Sequence, residues 1–215
     1  MSQLLPEEMD KHIAAGTFRL AFVGMSNAGK SYRSKVLVEQ ADFYWYEVDS
    51  SIQNELGLED MSDISGWLGY PTTTTYKERA AKYLAAEEKC THLASLDTKG
   101  KNLVFDTTGS VIHLTGETKD WLLDQCLVVN IDVGEDSITE LCDKYFEEPK
   151  PVLWGDSFNQ QEGETDEESL RRCYPEMLRD RLGKYRELAH VSISMVDLFD
   201  RSAEETLTTI KASLG

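Results

Sequence analysis

The sequence predicts an α/β fold built on a mainly parallel sheet, and three observations predict it. Short apolar segments alternate with helical segments along the whole chain. A glycine-rich turn joins the first of these strands to a helix. The length of 215 residues suits one domain with a continuous core that needs no metal or disulfide to hold it.

The elements follow in order. Residues 17–23 (TFRLAFV) form an apolar, aromatic run that stops at a glycine and reads as a buried strand. Residues 31–40 contain no Gly or Pro and read as a helix. Residues 43–48 (FYWYEV) are aromatic and β-branched, a second strand ended by Asp49. Residues 74–96 are rich in Ala, Glu, Lys and Leu, with Tyr76, Ala80, Tyr83, Leu84 and Leu93 at roughly helical spacing. Residues 102–105 (NLVF) make a third strand stopped by Asp106, and 127–133 (LVVNIDV) a fourth, followed by a helix over 137–146. Pro149 and Pro151 then break the chain, and 147–168 reads as a mobile loop. A helix over 169–189, interrupted at Pro175 and Gly183, leads to a fifth strand at 190–196. Ser202 and Glu205 have capping-box spacing and open a terminal helix.

Charge and cysteine usage narrow the function classes. The chain carries 22 Lys+Arg against 39 Asp+Glu, a formal charge of −17. Long nucleic acids and anionic membrane surfaces need an excess of cationic surface, so neither is an expected partner; a small anionic ligand needs only a local cationic pocket. No stretch approaches the ~18 apolar residues of a membrane span, and residues 1–16, an N-terminal extension, lack a basic leader. Cys90, Cys126, Cys142 and Cys173 are scattered without metal-site spacing. Free thiols in a cytoplasmic protein are expected.

The sharpest local signal is Gly24-Met25-Ser26-Asn27-Ala28-Gly29-Lys30-Ser31, which matches G-x-x-x-x-G-K-[ST]. Glycines let backbone N–H groups turn inward around a phosphate, and the helix beginning near Lys30 adds its positive end. Lys30 is placed to reach β- and γ-phosphates, the Ser31 hydroxyl to ligate Mg²⁺, and Tyr32 to flank the nucleotide. Asn27 stands where a third glycine is common, and Asn tolerates the left-handed conformation best after Gly. Asp106, at the end of an apolar strand, has the position of a Walker-B acid, with Asp49 ending its own strand toward the same crevice. Asp106-Thr107-Thr108-Gly109 also fits the GTPase pattern D-x-x-G, but no N-K-x-D follows a later strand.

With these motifs assembled, the chain resembles the shikimate kinase family of small P-loop kinases. Glu47-Val48-Asp49-Ser50-Ser51-Ile52 resembles the family's D-x-D-x-x-I segment, and 62–69 with Tyr76-Lys77-Glu78-Arg79 and Leu84 resembles its S-I-x-E-I-F … F-R-x-x-E-x-x-x-L segment. Lys150-Pro151-Val152-Leu153 is similar to the lid motif R-P-L-L, and Arg181, Tyr185, Glu187 and Ala189 to R-x-P-x-Y-x-E-x-A. The resemblance covers roughly residues 17–210. It implies a P-loop NTPase three-layer α/β/α sandwich, a five-stranded parallel sheet in the order 2-3-1-4-5, ATP with Mg²⁺, and a lid at 147–168. It makes Lys150 the lid cation, helped by Lys144. Asp49 is expected to orient or deprotonate the acceptor hydroxyl, or to hold Mg²⁺ through water beside Ser31 and Asp106. The resemblance also implies an acceptor pocket that departs from the family: Ser51 for the second acid, Lys77 or Arg79 for the carboxylate-binding arginine, and Thr107-Thr108-Gly109 for a triple-glycine loop, with Arg181 keeping its type.

The expected function is an ATP-dependent kinase for a small hydroxylated metabolite. Two alternatives stay open. D-T-T-G-S after a strand is similar to polynucleotide-kinase-like and toxin-type kinases, which act on nucleic-acid ends or nucleotide sugars. The rewritten acceptor residues also suit an ATP-binding regulatory or interaction module that has lost transfer.

Overall fold

The computed structural model describes residues 4–59, 61–93, 98, 100–148 and 152–214. Lys150 and its two proline neighbours lie outside them. The chain runs through α1 (Pro6–Ala15), β1 (Arg19–Val23), α2 (Lys30–Ala41), β2 (Tyr44–Glu47), α3 (Val48–Leu56), α4 (Met61–Leu68), α5 (Tyr76–Leu93) and β3 (Leu103–Asp106). It continues with α6 (Gly116–Gln125), β4 (Leu127–Asp132), α7 (Ile138–Glu147), α8 (Asp166–Leu188), β5 (Val191–Ser194), α9 (Met195–Leu198) and α10 (Ala203–Ala212). All five strands are parallel, in the order β2-β3-β1-β4-β5.

Strand periodicity explains the layers. Along β1, Leu20 and Phe22 point to one side and Ala21 and Val23 to the other, because successive side chains alternate across a sheet. Leu20 and Phe22 pack with Met9, Val36, Leu37 and Ile210 from α1, α2 and α10. Ala21 and Val23 pack with Ile52, Tyr83, Leu122 and Tyr185 from α3, α5, α6 and α8. The sheet is thus covered on both faces, and its inner strands are buried along almost their whole length, with polar residues only toward their ends.

Several elements differ from the sequence expectation. The second strand ends at Glu47 and the chain enters α3 without a loop, so Asp49 and Ser51 sit in a helix rather than at a strand end. The helices α1, α4 and α6 are additional to those expected. Helix α8 is continuous from Asp166, and neither Pro175 nor Gly183 interrupts it. Pro in a helix interior costs about 3 kcal/mol, but α8 buries Leu170, Tyr174, Met177, Leu178, Leu182, Tyr185 and Leu188, each side chain contributing about 1.5–3 kcal/mol. Its start is set by a capping box between Thr165 and Glu168.

The segment entering α8 is anchored by aromatic packing. Trp154 is 1% exposed, and its ring lies 5.4 Å from Tyr174, 5.8 Å from Phe158 and 6.3 Å from Tyr145. Its backbone N–H donates to the Tyr76 hydroxyl at 2.7 Å. Trp154→Ala is therefore expected to lower unfolding free energy by about 3–5 kcal/mol, read from equilibrium urea unfolding. A loss under about 1 kcal/mol would show that this packing does not persist in solution.

Among the described residues no helix is long and apolar enough to cross a membrane. All four cysteines are free, with Cys90, Cys126 and Cys173 buried and Cys142 half-buried.

Candidate active site

The parallel register brings three strand ends together. Phe22 pairs with Asp106, and Asp106 pairs with Glu47, so the turn after β1, the end of β3 and the start of α3 open on one edge of the sheet. The turn has the backbone its sequence calls for. Gly24 has φ 139° and Gly29 φ 90°, and Asn27 takes φ 67°, the left-handed conformation expected of it. A side chain at Gly24 would meet the Ile131 carbonyl oxygen at 2.8 Å, so this glycine is required by space as well as by φ. Helix α2 begins at Lys30, aiming its first N–H groups into the turn.

A cavity of about 380 Å³ opens over this edge. Its phosphate end is made by Ser26, Asn27, Gly29, Lys30, Ser31 and Tyr32. Lys30 is buried, and its Nζ donates to the Gly24 and Met25 carbonyls, both at 3.0 Å, which orients the ammonium at the mouth of the turn. The other end is lined by Asp49, Leu68, Tyr83, Thr108, Ser110 and Arg181, with Gly109 and Leu153 between.

Asp106 lies beneath the phosphate end, 4% exposed. Burial raises its pKa, while a hydrogen bond from the Ser31 hydroxyl and the nearby Lys30 charge act to lower it. Its Oδ2 is buried without a hydrogen-bond partner. A serine hydroxyl beside an orphaned carboxylate oxygen is a donor set that fits a hard divalent cation. Among the described residues no group of three or more His, Cys, Asp or Glu is placed to hold a metal ion.

Asp49, in the first turn of α3, sits in the cavity wall. Burial pushes its pKa up to about 6; Lys30 opposes the shift, whereas Asp106 and Glu47 add to it. Tyr83 hydrogen-bonds to Asp49 and also reaches Ser110. Behind them Glu87, 1% exposed, accepts from the Ser110 hydroxyl at 2.5 Å and is bonded to Thr108. Burial pushes the Glu87 carboxyl up to about 7.

The sequence candidates sort clearly by position. The turn residues, Lys30, Ser31, Tyr32, Asp49, Thr108, Gly109 and Arg181 come together around the cavity or in its wall. Thr107 instead donates to the Phe22 carbonyl at 2.7 Å and fastens β3 to β1. Ser51 faces its own helix, donating to the Glu47 carbonyl at 3.1 Å. Lys77 is exposed on α5, and Arg79 turns to the Trp67 carbonyl and indole, so neither lines the cavity. Lys144 is ion-paired with Glu140 at 2.6 Å and borders a second cavity between α7 and α8. Arg181 is buried rather than a surface charge: Nη1 donates to the Gly109 carbonyl at 3.1 Å and Nη2 to the Leu153 carbonyl at 2.5 Å. Tyr185 bonds the same Gly109 carbonyl. Sequence reasoning missed Tyr83, Glu87 and Ser110 as site residues. The signal available was Glu87 one turn beyond Tyr83, a carboxylate on the buried stripe of a helix.

No family model matches the chain, and no curated protein does. Solved structures do. The shikimate kinase of Acinetobacter baumannii in complex with shikimate is similar at TM-score 0.61 and 20% identity, covering 94% of this chain and 94% of that one. The shikimate kinase of Bacteroides thetaiotaomicron gives TM-score 0.60 at 17% identity, over 91% of this chain and 97% of that one. That of Aquifex aeolicus gives 0.56 at 19% identity, over 92% and 96%. The chain therefore has the fold of the small P-loop kinases, with the sheet order that its resemblance to shikimate kinases implied.

Proposed function

We propose that the protein is an ATP-dependent kinase that phosphorylates a hydroxyl of a small metabolite. The observation that carries the reading is one cavity holding a P-loop at one end and a carboxylate with a raised pKa, Asp49, at the other. The turn residues Gly24 to Ser31 and the positive end of α2 hold the polyphosphate. Lys30 neutralises charge on the phosphoryl group in transit. Ser31 and Asp106 would hold Mg²⁺, whose charge would stabilise the phosphoryl group there. A groove of about 510 Å³ continues past Tyr32, lined by Ala28, Ile131, Met195, Leu198 and Phe199; its apolar walls suit the nucleotide base.

The acceptor oxygen attacks the γ-phosphorus, the bond to the β,γ-bridging oxygen breaks, and ADP leaves. The acceptor proton passes to Asp49. A pKa of about 6 leaves that carboxylate ionised at neutral pH yet basic enough to take a proton in the transition state. Residues 147–168 form the lid in this reading, with Lys150 as its cation and Lys144 on the helix that enters it; the buried Trp154 fixes part of the segment to the core.

The test is incubation of the full chain with Mg²⁺, γ-labelled ATP and a panel of hydroxylated metabolites. Label is expected in a small product whose formation depends on both Mg²⁺ and acceptor. Tight Mg-ATP binding without transfer to any acceptor would favour the non-transferring nucleotide-binding module instead.

A further inference from the structure

A buried phenol joins the two sides of the acceptor end. Tyr83, on α5, is 4% exposed; its ring belongs to the core and it lines the cavity. On one side its hydroxyl bonds Asp49 of α3, and on the other Ser110 of the segment after β3. Burial pushes the phenol well above its usual pKa range, so it keeps its proton. An ionised carboxylate can only accept, so toward Asp49 the phenol is the donor. A hydrogen bond with one charged partner is among the stronger ones a buried side chain makes.

Ser110 is itself braced. Its hydroxyl lies 2.5 Å from a Glu87 carboxyl oxygen, and its backbone N–H donates to Thr108 Oγ1 at 2.9 Å. Glu87 stands one turn beyond Tyr83 on the same face of α5, so Ser110 is held between two side chains of one helix. Its neighbour Gly109 is held from α8, where Arg181 Nη1 donates to the Gly109 carbonyl at 3.1 Å and Tyr185 bonds the same oxygen. A phenol oxygen moves only with its ring, and this ring is packed in the core, so the donor that meets Asp49 has a fixed place. Asp49 needs such a partner. Its carboxylate turns about its own side-chain bonds, Lys30 attracts it toward the phosphate end, and Asp106 and Glu47 repel it. Tyr83 is its partner on the acceptor side.

We infer that Tyr83 is a positioning residue for the reaction: its hydroxyl, braced by Ser110 and Glu87, holds the Asp49 carboxylate turned toward the acceptor hydroxyl rather than toward Lys30. This rests on the kinase reading and adds a residue to it. One donated proton occupies one carboxylate oxygen and leaves the second to take the acceptor proton. Held in this way, Asp49 meets the acceptor in a single orientation, and losing that orientation costs rate rather than nucleotide binding.

Tyr83→Phe keeps the ring and removes only the oxygen. ADP formation from Mg-ATP is followed with the full chain and the panel metabolite that the native protein labels most or, where it labels none, with water as the acceptor. The variant is expected to lose about 10–100-fold in kcat, with KM for Mg-ATP within about twofold and the Tm shift given by Mg-ADP unchanged. A merely structural role is told apart by a cycle with Asp49→Asn. In the Asp49→Asn background Tyr83→Phe is expected to cost less than about twofold further, because its route to the reaction has gone. The same loss in both backgrounds, or a Tyr83→Phe kcat within about twofold of native, overturns the inference. If Tyr83→Phe loses the Mg-ADP shift, Ser110→Ala decides instead, since it leaves the phenol in place and removes its brace. That variant is expected to lower kcat by about threefold to tenfold where Asp49 is present, and an unchanged kcat overturns the inference. A native chain that binds Mg-ADP but forms no ADP from Mg-ATP with any acceptor sinks the kinase reading, and the positioning role with it.

Discussion

Lys30→Met is expected to cut phosphoryl transfer by about 10²–10³-fold and to remove most of the stabilisation given by Mg-ADP. The first figure is the cost of losing one preorganised charge from a transferring group. The second follows from linkage. A ligand at a hundredfold its Kd adds about 2.7 kcal/mol, which in a domain of this size is roughly 5–10 °C in Tm. Methionine keeps the buried stem of a side chain that is 8% exposed, so the core around the turn is spared. The lost bonds to Gly24 and Met25 loosen the turn locally, and melting of the ligand-free variant measures that separately. Asp106→Asn divides the readings further. It keeps the shape of a buried residue but replaces a carboxyl oxygen by an amide nitrogen, so transfer should fall by a similar factor. Nucleotide binding without Mg²⁺ should change only a few-fold. An Asp106→Asn protein with undiminished turnover would remove the acid from its proposed place beside Mg²⁺.

What the sequence made legible was what is local. The phosphate turn could be read because its chemistry is written in eight consecutive residues, and Asn27 could be given its left-handed backbone from residue type alone. Asp106 was legible because an apolar strand ended on it. The acceptor end is assembled from α3, α5, α8 and the segment after β3, and no single stretch spells it. Helical periodicity marked Tyr83 as buried but could not separate a core position from a cavity wall. It hid Glu87 altogether, since a buried carboxylate on an otherwise apolar stripe has no sequence partner to announce it. The resemblance put the acceptor cation at Lys77 or Arg79, near in sequence to Tyr83. On a helix, six residues turn Lys77 well away from Tyr83, and Arg79 is drawn to Trp67. Pro175 misled for a related reason: its local cost is outweighed by burial along the whole of α8.

The same buried carboxylate gives the last prediction, and its sign can be worked out. Glu87 goes from 4.5 to about 7 on folding, so between those values the native state binds more protons than the unfolded chain. Its contribution is fully present below pH 4.5 and is lost as pH rises through 7. At 1.36 kcal/mol per unit this is about 3 kcal/mol. Asp49, raised from 3.8 to about 6, acts in the same direction. His113 acts oppositely, because burial and Arg181 lower it from 6.5 to about 4; its contribution is lost as pH falls below 6.5. Between pH 4.5 and 6.5 His113 offsets only part of the two carboxylate trends, so the native protein alone reports their sum and not Glu87 by itself. The difference between Glu87→Gln and the native protein isolates one of them. Measured by urea unfolding at each pH, the variant is expected to gain on the native protein by about 3 kcal/mol from pH 4.5 to 7.5, then to run parallel. A difference that stays level over that range would mean that Glu87 is ionised inside the fold.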